Sequence, residues 1–298
     1  MTDLLNHHSS NDLLHTARAI EPPLDHTLAG TPGSPSDWRM LMVDDTLVGV
    51  GGAGEVFGTS ETQFVLVLEV SGTVSLDNSF NQGGDFLVFG SDAADWDIAL
   101  SGSNAILSNE ITYVQVPVGP SGMIVQFEDG QRILRYDPGI QEVLIGDQIV
   151  DADFTIVTGA AETTDAEPQF DVSPNSVGRV LMNEEGQIYL LGFFDIFGTQ
   201  QRETIFLLNG EFDLDPSFNQ GGDTIVVPFN IDTFEVSRTG TVVTLENDSL
   251  LIEIPAGPGV TEFSFGDIDE VPLFIDTSQG AVLFGTQEVT DTPMILMG

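Results

Sequence analysis

An identical heptapeptide, SFNQGGD, occurs at residues 79–85 and again at residues 217–223. It belongs to a longer duplication, because WRMLMVDDTLVGVGGAGEVFGT at 38–59 aligns without gaps with GRVLMNEEGQIYLLGFFDIFGT at 178–199. A repeated sequence of this length indicates a repeated structural unit. The chain is therefore predicted to contain two copies of one domain, with the two heptapeptides in equivalent loops.

The alignment also predicts where the copies begin and end. A polar leader covers residues 1–37, the first β domain covers 38–150, a linker covers 151–177, and the second β domain with a C-terminal strand covers 178–298. A chain of 298 residues is long enough for two domains of this size. Each is large enough to bury a core of its own.

Each copy contains short apolar or alternating runs, such as FVLVLEV at 64–70 and TYVQVPV at 112–118, separated by Gly, Asn, Asp and Pro. This spacing is typical of sandwiches and barrels. We predict an all-β chain of two tandem homologous antiparallel β-sandwich-like domains, with a β-solenoid as the alternative. The GVGGAG stretch at 49–54 fits a dinucleotide-binding pattern, but a β pattern follows it where a helix is required.

The charge balance limits the partners. The chain has 47 Asp and Glu against 7 Arg, no Lys, no Cys and a net charge of −40. Such a surface repels nucleic acid and anionic membranes and attracts cations. There is no apolar run long enough to span a membrane and no recognisable cleaved N-terminal signal.

The same composition limits the chemistry. All four His lie within the first 26 residues. The rest of the chain therefore lacks His-assisted nucleophiles and zinc sites with nitrogen or sulfur ligands. We interpret the protein as non-catalytic, with a carboxylate-based glycosidase as a minor alternative.

Oxygen-bearing side chains surround the glycine pair of each heptapeptide, and Ca²⁺ takes six to eight oxygen ligands in flexible geometry. Calcium is therefore the predicted cofactor. The predicted ligands are Asp77, Asn81 and Asp85 in the first copy and Asp213, Asp215, Asn219 and Asp223 in the second. The alternative is a purely structural loop, in which the Asx side chains bond the backbone and Phe80 and Phe218 fill the core.

Further motifs follow the heptapeptide in the first copy. They are SG at 101–102, VPVG at 116–119, FEDGQRILRYD at 127–137 and VLIGDQIV at 143–150. The set resembles a tandem β-repeat of large surface and adhesin-like proteins of Gram-negative bacteria. The second copy keeps IPAG but has FGDIDEV in place of the F-x-DG-x-R pattern. The resemblance implies an extracellular or cell-surface protein, exported by type I secretion with an uncleaved C-terminal signal.

The last residues, TPMILMG at 292–298, resemble the runs WRMLM at 38–42 and GRVLM at 178–182 that open the two copies. Met294, Ile295, Leu296 and Met297 are therefore predicted to form an unmatched strand donated to another copy. Head-to-tail contacts of this kind build open polymers. An ordinary last strand is the alternative.

Taken together, these features predict a non-catalytic extracellular structural protein. It would assemble with itself into a filament, surface layer or biofilm matrix and be stabilised by calcium. The alternative is an adhesin that binds a cell-surface glycan.

Overall fold

The structure is a computed structural model. It describes residues 36–43, 47–82, 84–162 and 178–297. These fall into two compact units, which we call the N-terminal unit, the described residues from 39 to 178, and the C-terminal unit, the described residues from 179 onwards with residues 36–38. Most of the predicted leader, the second part of the predicted linker (163–177) and Gly83 lie outside the described residues.

The prediction of an all-β chain is confirmed. Regular structure in the described residues consists of β-strands and short 3₁₀ turns. The strands of the N-terminal unit are β1 Trp38–Leu41, β2 Leu47–Gly52, β3 Gly54–Phe57, β4 Phe64–Val67, β5 Gly72–Leu76, β6 Phe86–Val88, β7 Asp97–Ser101, β8 Asn104–Ser108, β9 Thr112–Pro117, β10 Met123–Phe127, β11 Gly130–Asp137, β12 Glu142–Ile145, β13 Gln148–Ile149 and β14 Thr155–Ile156.

The C-terminal unit repeats this order, with two long strands in place of two pairs of shorter ones. Its strands are β15 Gly178–Met182, β16 Gln187–Phe197, β17 Thr204–Leu214, β18 Thr224–Val226, β19 Glu235–Thr239, β20 Val242–Glu246, β21 Leu250–Pro255, β22 Thr261–Ser264, β23 Val271–Asp276, β24 Ala281–Phe284, β25 Gln287–Glu288 and β26 Met294–Ile295. The 3₁₀ turns also correspond, and they are Asn78–Asn81, Ala93–Asp95, Pro216–Asn219 and Ile231–Thr233.

The N-terminal unit has two ladders of hydrogen-bonded strands. One runs in the order β2, β4, β6, β10, β11, β12, β13. The other runs β3, β5, β9, β8, β7, β14. Side chains from both ladders meet in the core, where the Phe89 ring lies 4.2 Å from Trp96 and 5.1 Å from Phe127 between ring centroids.

The prediction of antiparallel sheets is wrong for the centre of each ladder. Strands β2, β4, β6 and β10 are parallel, as are β3, β5 and β9. Parallel neighbours need a crossover connection, and here a strand of the opposite ladder makes it. Side-chain alternation has the same period in both kinds of sheet, so the sequence pattern did not distinguish them.

Glycine pairs mark the points where the chain passes between ladders. In the C-terminal unit, Gly192 and Gly210 have φ of 125° and 127°, and a Cβ on Gly210 would overlap the Gly192 carbonyl oxygen. Gly52 and Gly72 are their counterparts in the N-terminal unit, with φ of 95° and 153°. Gly52, within the GVGGAG stretch, is thus required by the fold, and Gly192 stands at the aligned position of the second copy.

Replacing Gly210 by alanine should destabilise the C-terminal unit. The positive φ alone costs about 1–3 kcal/mol, and the Cβ would collide with backbone that cannot yield. The matched control is Gly240→Ala, where φ is 65° but no atom lies within 4 Å of the new Cβ. Thermal unfolding of the full chain compares the two variants. Equal losses would show that the close approach of the two strands contributes nothing.

Candidate cation-binding loops

Asp77 and Asp215 each hold a 3₁₀ turn against a second loop. Asp77 Oδ1 accepts hydrogen bonds from the Ser79 hydroxyl, from Ser79 N at 3.3 Å and from Gly58 N at 3.1 Å. Asp215 Oδ1 accepts from the Ser217 hydroxyl, and from the backbone N–H groups of Ser217 at 3.1 Å and Gly198 at 3.3 Å. Both carboxylates therefore act as caps for backbone N–H groups.

Asp85 and Asp223 are buried where β6 and β18 begin, with 1% and 0% of their surface exposed. Asp85 Oδ1 accepts a hydrogen bond from Gln63 N at 3.0 Å, and Asp223 Oδ1 accepts one from Glu203 N at 2.8 Å. Burial raises the pKa of Asp85 to about 6, although the Gln63 N–H opposes this rise. Each aspartate is the last residue of its heptapeptide and binds the backbone just before a neighbouring strand, β4 or β17.

The side chains that face these aspartates differ between the copies. Gln63 donates through Nε2 to the Thr59 hydroxyl and accepts from Thr59 N at 3.1 Å. At the equivalent position, Glu203 Oε1 accepts from Thr199 N at 3.2 Å and from the Thr199 hydroxyl. The N-terminal unit thus has a neutral amide where the C-terminal unit has a second acid.

Glu203 and Asp223 form a buried pair of carboxyls. When both are ionised, Glu203 Oε2 and Asp223 Oδ2 receive no hydrogen bond from the described part of the chain. Burial, together with the hydrogen bond to Asp223 and its charge, raises the pKa of Glu203 to about 7. Burial also raises the pKa of Asp223. Protonated Glu203 donates to Asp223, so one proton stabilises the pair.

Asn81 and Asn219 point to a different neighbour. Asn219 Nδ2 donates to the Pro255 carbonyl at 3.2 Å, and a Cβ on Gly257 would overlap the Asn219 side chain. In the first copy, a Cβ on Gly119 would lie 2.6 Å from the Asn81 carbonyl oxygen. Close packing therefore explains why the heptapeptide and the VPVGP and IPAGP motifs are kept together.

Asp213 lies on β17, outside the loop. Its strand neighbours in register are Asp195 on β16 and Glu253 on β21. Burial raises its pKa, and the charges of Asp195 and Asp215 raise it further. Asp195, Asp213 and Glu253 therefore lie side by side on neighbouring strands. Asp213 stands two residues before Asp215, which caps the 3₁₀ turn.

The predicted calcium ligands thus have different structural positions. Asp77 and Asp215 cap 3₁₀ turns, Asp85 and Asp223 are buried at the starts of strands, Asn81 and Asn219 pack against glycines, and Asp213 lies on β17. Within the described residues, no three acidic or histidine side chains are arranged to hold a metal ion. In line with the structural alternative, backbone N–H groups bind the carboxylates of Asp77, Asp85, Asp215 and Asp223, and Phe80 and Phe218 are fully buried. Calcium binding stays a prediction.

The predicted donated strand pairs within its own unit. Met294 and Ile295 form β26, which lies antiparallel to β19, and Leu296 N donates to the Phe234 carbonyl at 2.9 Å. Leu296 is buried, whereas Ile295 and Met297 are 50% and 66% exposed. The interpretation as an unmatched opening strand is therefore wrong.

The true counterpart of β26 is β14. Both strands are held by an equivalent glutamine: Gln148 Nε2 donates to the Ile156 carbonyl at 3.0 Å, and Gln287 Nε2 donates to the Ile295 carbonyl at 3.1 Å. Residues 151–162, which were predicted to begin the linker, thus belong to the N-terminal unit through β14 and the buried Val157.

Removing the Leu296 side chain should therefore destabilise the C-terminal unit. Leu296→Ala is expected to cost about 2–5 kcal/mol, because the side chain is fully buried. Ile295→Ala, at the neighbouring exposed position, is the control and should cost less than about 1 kcal/mol. Denaturant unfolding of the full chain measures both. Similar small losses would mean that the end of the chain does not contribute to the core.

No known protein family model matches the chain, and no curated protein is significantly similar to it. Among the described residues, none of the helical segments could cross a lipid bilayer.

Proposed function

We propose that the protein is a non-catalytic structural protein of the extracellular space or cell surface. It assembles with copies of itself into a filament, surface layer or biofilm matrix, and calcium bridges its acidic surfaces. The residues that the two copies share support this role, because they form caps, core contacts and close glycine approaches rather than a common cleft.

One observation carries the proposal: the end strands of the N-terminal unit present apolar side chains to solvent. Within the described residues, β13 and β14 each have one strand partner. Ile149, Phe154 and Ile156 on or beside these strands are 48%, 52% and 54% exposed. An unpaired edge with exposed apolar side chains favours pairing with another chain.

Hydrogen bonds of one glutamine connect the two end strands of the N-terminal unit. Gln148 bridges the two end strands, since its Oε1 accepts from Thr158 N at 2.7 Å and from Gly159 N at 2.9 Å. Asp151 and Asp153 lie in the connection between β13 and β14 and are exposed. Two copies that meet here would bring carboxylates together, so a divalent cation would favour the contact.

Substituting Ile156 by aspartate should abolish assembly and leave the fold intact. Sedimentation and electron microscopy of the full chain, with calcium, with chelator and with magnesium at equal ionic strength, test this expectation. Burying one such side chain contributes about 1.5–3 kcal/mol, which is enough to decide a repeated contact. The matched control is Ile140→Asp, because Ile140 is 55% exposed in the turn between β11 and β12.

The proposal is supported if the wild-type protein and Ile140→Asp both assemble and Ile156→Asp does not. Wild-type protein that stays monomeric under all three conditions would contradict it. A monomer that binds a glycan array would favour the adhesin instead.

A further inference from the structure

A groove of about 500 Å³ opens on the surface of the C-terminal unit. Its volume lies in the range of about 300–1,000 Å³ that is usual for ligand sites. Three carboxylates line it, those of Glu235, Glu246 and Asp248, together with the apolar side chains of Phe229 and Ile295. Among the described residues that line the groove, none is basic.

Strand pairing fixes two of these carboxylates side by side. The register of β19 and β20 places Glu235 directly opposite Glu246, and the register of β19 and β26 places Glu235 opposite Ile295. Like charges at directly opposite positions destabilise a sheet. A cation in the groove would offset this repulsion.

The apolar wall is also fixed by the fold. Phe229 is half-buried, its carbonyl accepts a hydrogen bond from Gly266 N at 2.8 Å, and its ring lies 6.3 Å from the ring of Phe234. Ile295 is half exposed on β26. The groove therefore offers an aromatic and an aliphatic surface beside the acidic groups.

The N-terminal unit is built differently at the same place. Ser91 and Ser108 stand where the C-terminal unit has Phe229 and Glu246. Ser91 Oγ donates to Glu69 at 2.8 Å and accepts from Trp96 Nε1 at 2.9 Å, while Asn109 Nδ2 donates to Glu69 at 3.1 Å. In the N-terminal unit, these polar side chains therefore bond to one another at the position of the groove. The shared fold does not require the acidic and aromatic lining of the groove.

We propose that the groove binds a cationic peptide segment, through an arginine or lysine side chain that is flanked by an apolar residue. The carboxylates complement the charge, and Phe229 and Ile295 complement the flanking side chain. A second copy of this chain is a poor source of such a segment, because it has 7 basic residues against 47 acidic ones. The partner is a different, basic protein, so the proposal is independent of self-assembly.

Binding of a labelled acetyl-Leu-Arg-Phe-Arg-amide peptide to the full chain tests the proposal, with the citrulline analogue as the neutral comparison. Fluorescence anisotropy at physiological salt gives the dissociation constants. The double variant Glu235→Gln, Glu246→Gln should weaken binding by about tenfold or more, and Phe229→Ser should weaken it separately. Circular dichroism and thermal melting check that each variant is folded.

The matched control is Asp97→Asn with Glu110→Gln, which removes the acids aligned with Glu235 and Asp248 from the N-terminal unit. This control should leave the affinity unchanged. Equal weakening by both double variants would mean non-specific attraction to the acidic surface and would overturn the proposal. Equal binding of the citrulline peptide, no binding of either peptide, or displacement of the cationic peptide by micromolar calcium would also overturn it.

Discussion

Replacing Glu203 by glutamine is expected to stabilise the C-terminal unit by about 3 kcal/mol at pH 8 and to change its stability little at pH 4. The substitution places in the second copy the amide that Gln63 supplies in the first. The new amide would donate its N–H where the shared proton now lies. The side chains at positions 203 and 223 would then be hydrogen-bonded to each other without an added proton.

The sign follows from the direction of the pKa shift. Burial and contact with Asp223 raise the pKa of Glu203 from its ordinary 4.5 to about 7. Between these two values the folded state keeps a proton that the unfolded state has lost. The free energy of unfolding therefore falls as the pH rises through this interval, and above it the contribution of the protonated pair is lost.

Denaturant unfolding of the full chain at several pH values measures the effect as a difference between variant and wild type. This difference cancels the general repulsion of a chain with a net charge of −40. The reciprocal variant Gln63→Glu should behave in the opposite way, losing stability relative to wild type as the pH rises above the ordinary pKa of glutamate, because it creates the acid pair beside Asp85. A stability difference for Glu203→Gln that is the same at pH 5 and pH 8 would contradict the account.

The sequence was sufficient to predict the repeat and the all-β class, because both rest on local patterns. Identical segments such as SFNQGGD occupy equivalent 3₁₀ turns, with Asp77 and Asp215 at the caps. Gly, Asn and Pro between apolar runs correctly indicated short strands. The direction in which strands pair is a tertiary property, and side-chain alternation carries no information about it.

The end of the chain shows how a local resemblance misleads. TPMILM at 292–297 shares apolar letters with the opening runs of both copies, but its structural equivalent is DFTIVT at 153–158. The deciding contacts come from Gln148 and Gln287, the last residues of the similar segments LIGDQ at 144–148 and LFGTQ at 283–287. Side-chain hydrogen bonds to a distant strand cannot be read from composition or spacing.

The candidate site was predicted in part. The heptapeptide was found by repetition, but its partners Gln63 and Glu203 were missed because they differ between the copies. Their signal was the shared FGT turn four residues earlier, whose threonine bonds each of them. Which oxygen atoms converge depends on how that turn folds over Asp85 and Asp223, and this is not a sequence property.

The largest loss of stability is expected from Phe218→Ala, at the centre of the second heptapeptide. Phe218 is fully buried, its carbonyl accepts the Thr261 hydroxyl, and a Cβ on Gly198 would lie 3.0 Å from its ring. With neighbours this close and held by hydrogen bonds, a cavity would remain after truncation. The cost should be about 3–5 kcal/mol, which approaches the whole stability of an ordinary domain.

A control variant and a comparison with and without calcium show whether Phe218 acts as a core residue or as part of a calcium-binding loop. Phe274→Ala, at a phenylalanine on β23 that is only partly buried, should cost about 1 kcal/mol. Denaturant unfolding is measured in calcium and in chelator for both variants. If the heptapeptide exists to place Phe218 in the core, the loss is the same with and without calcium. A loss that occurs only with calcium would mean that the metal folds the loop and that the ring is secondary.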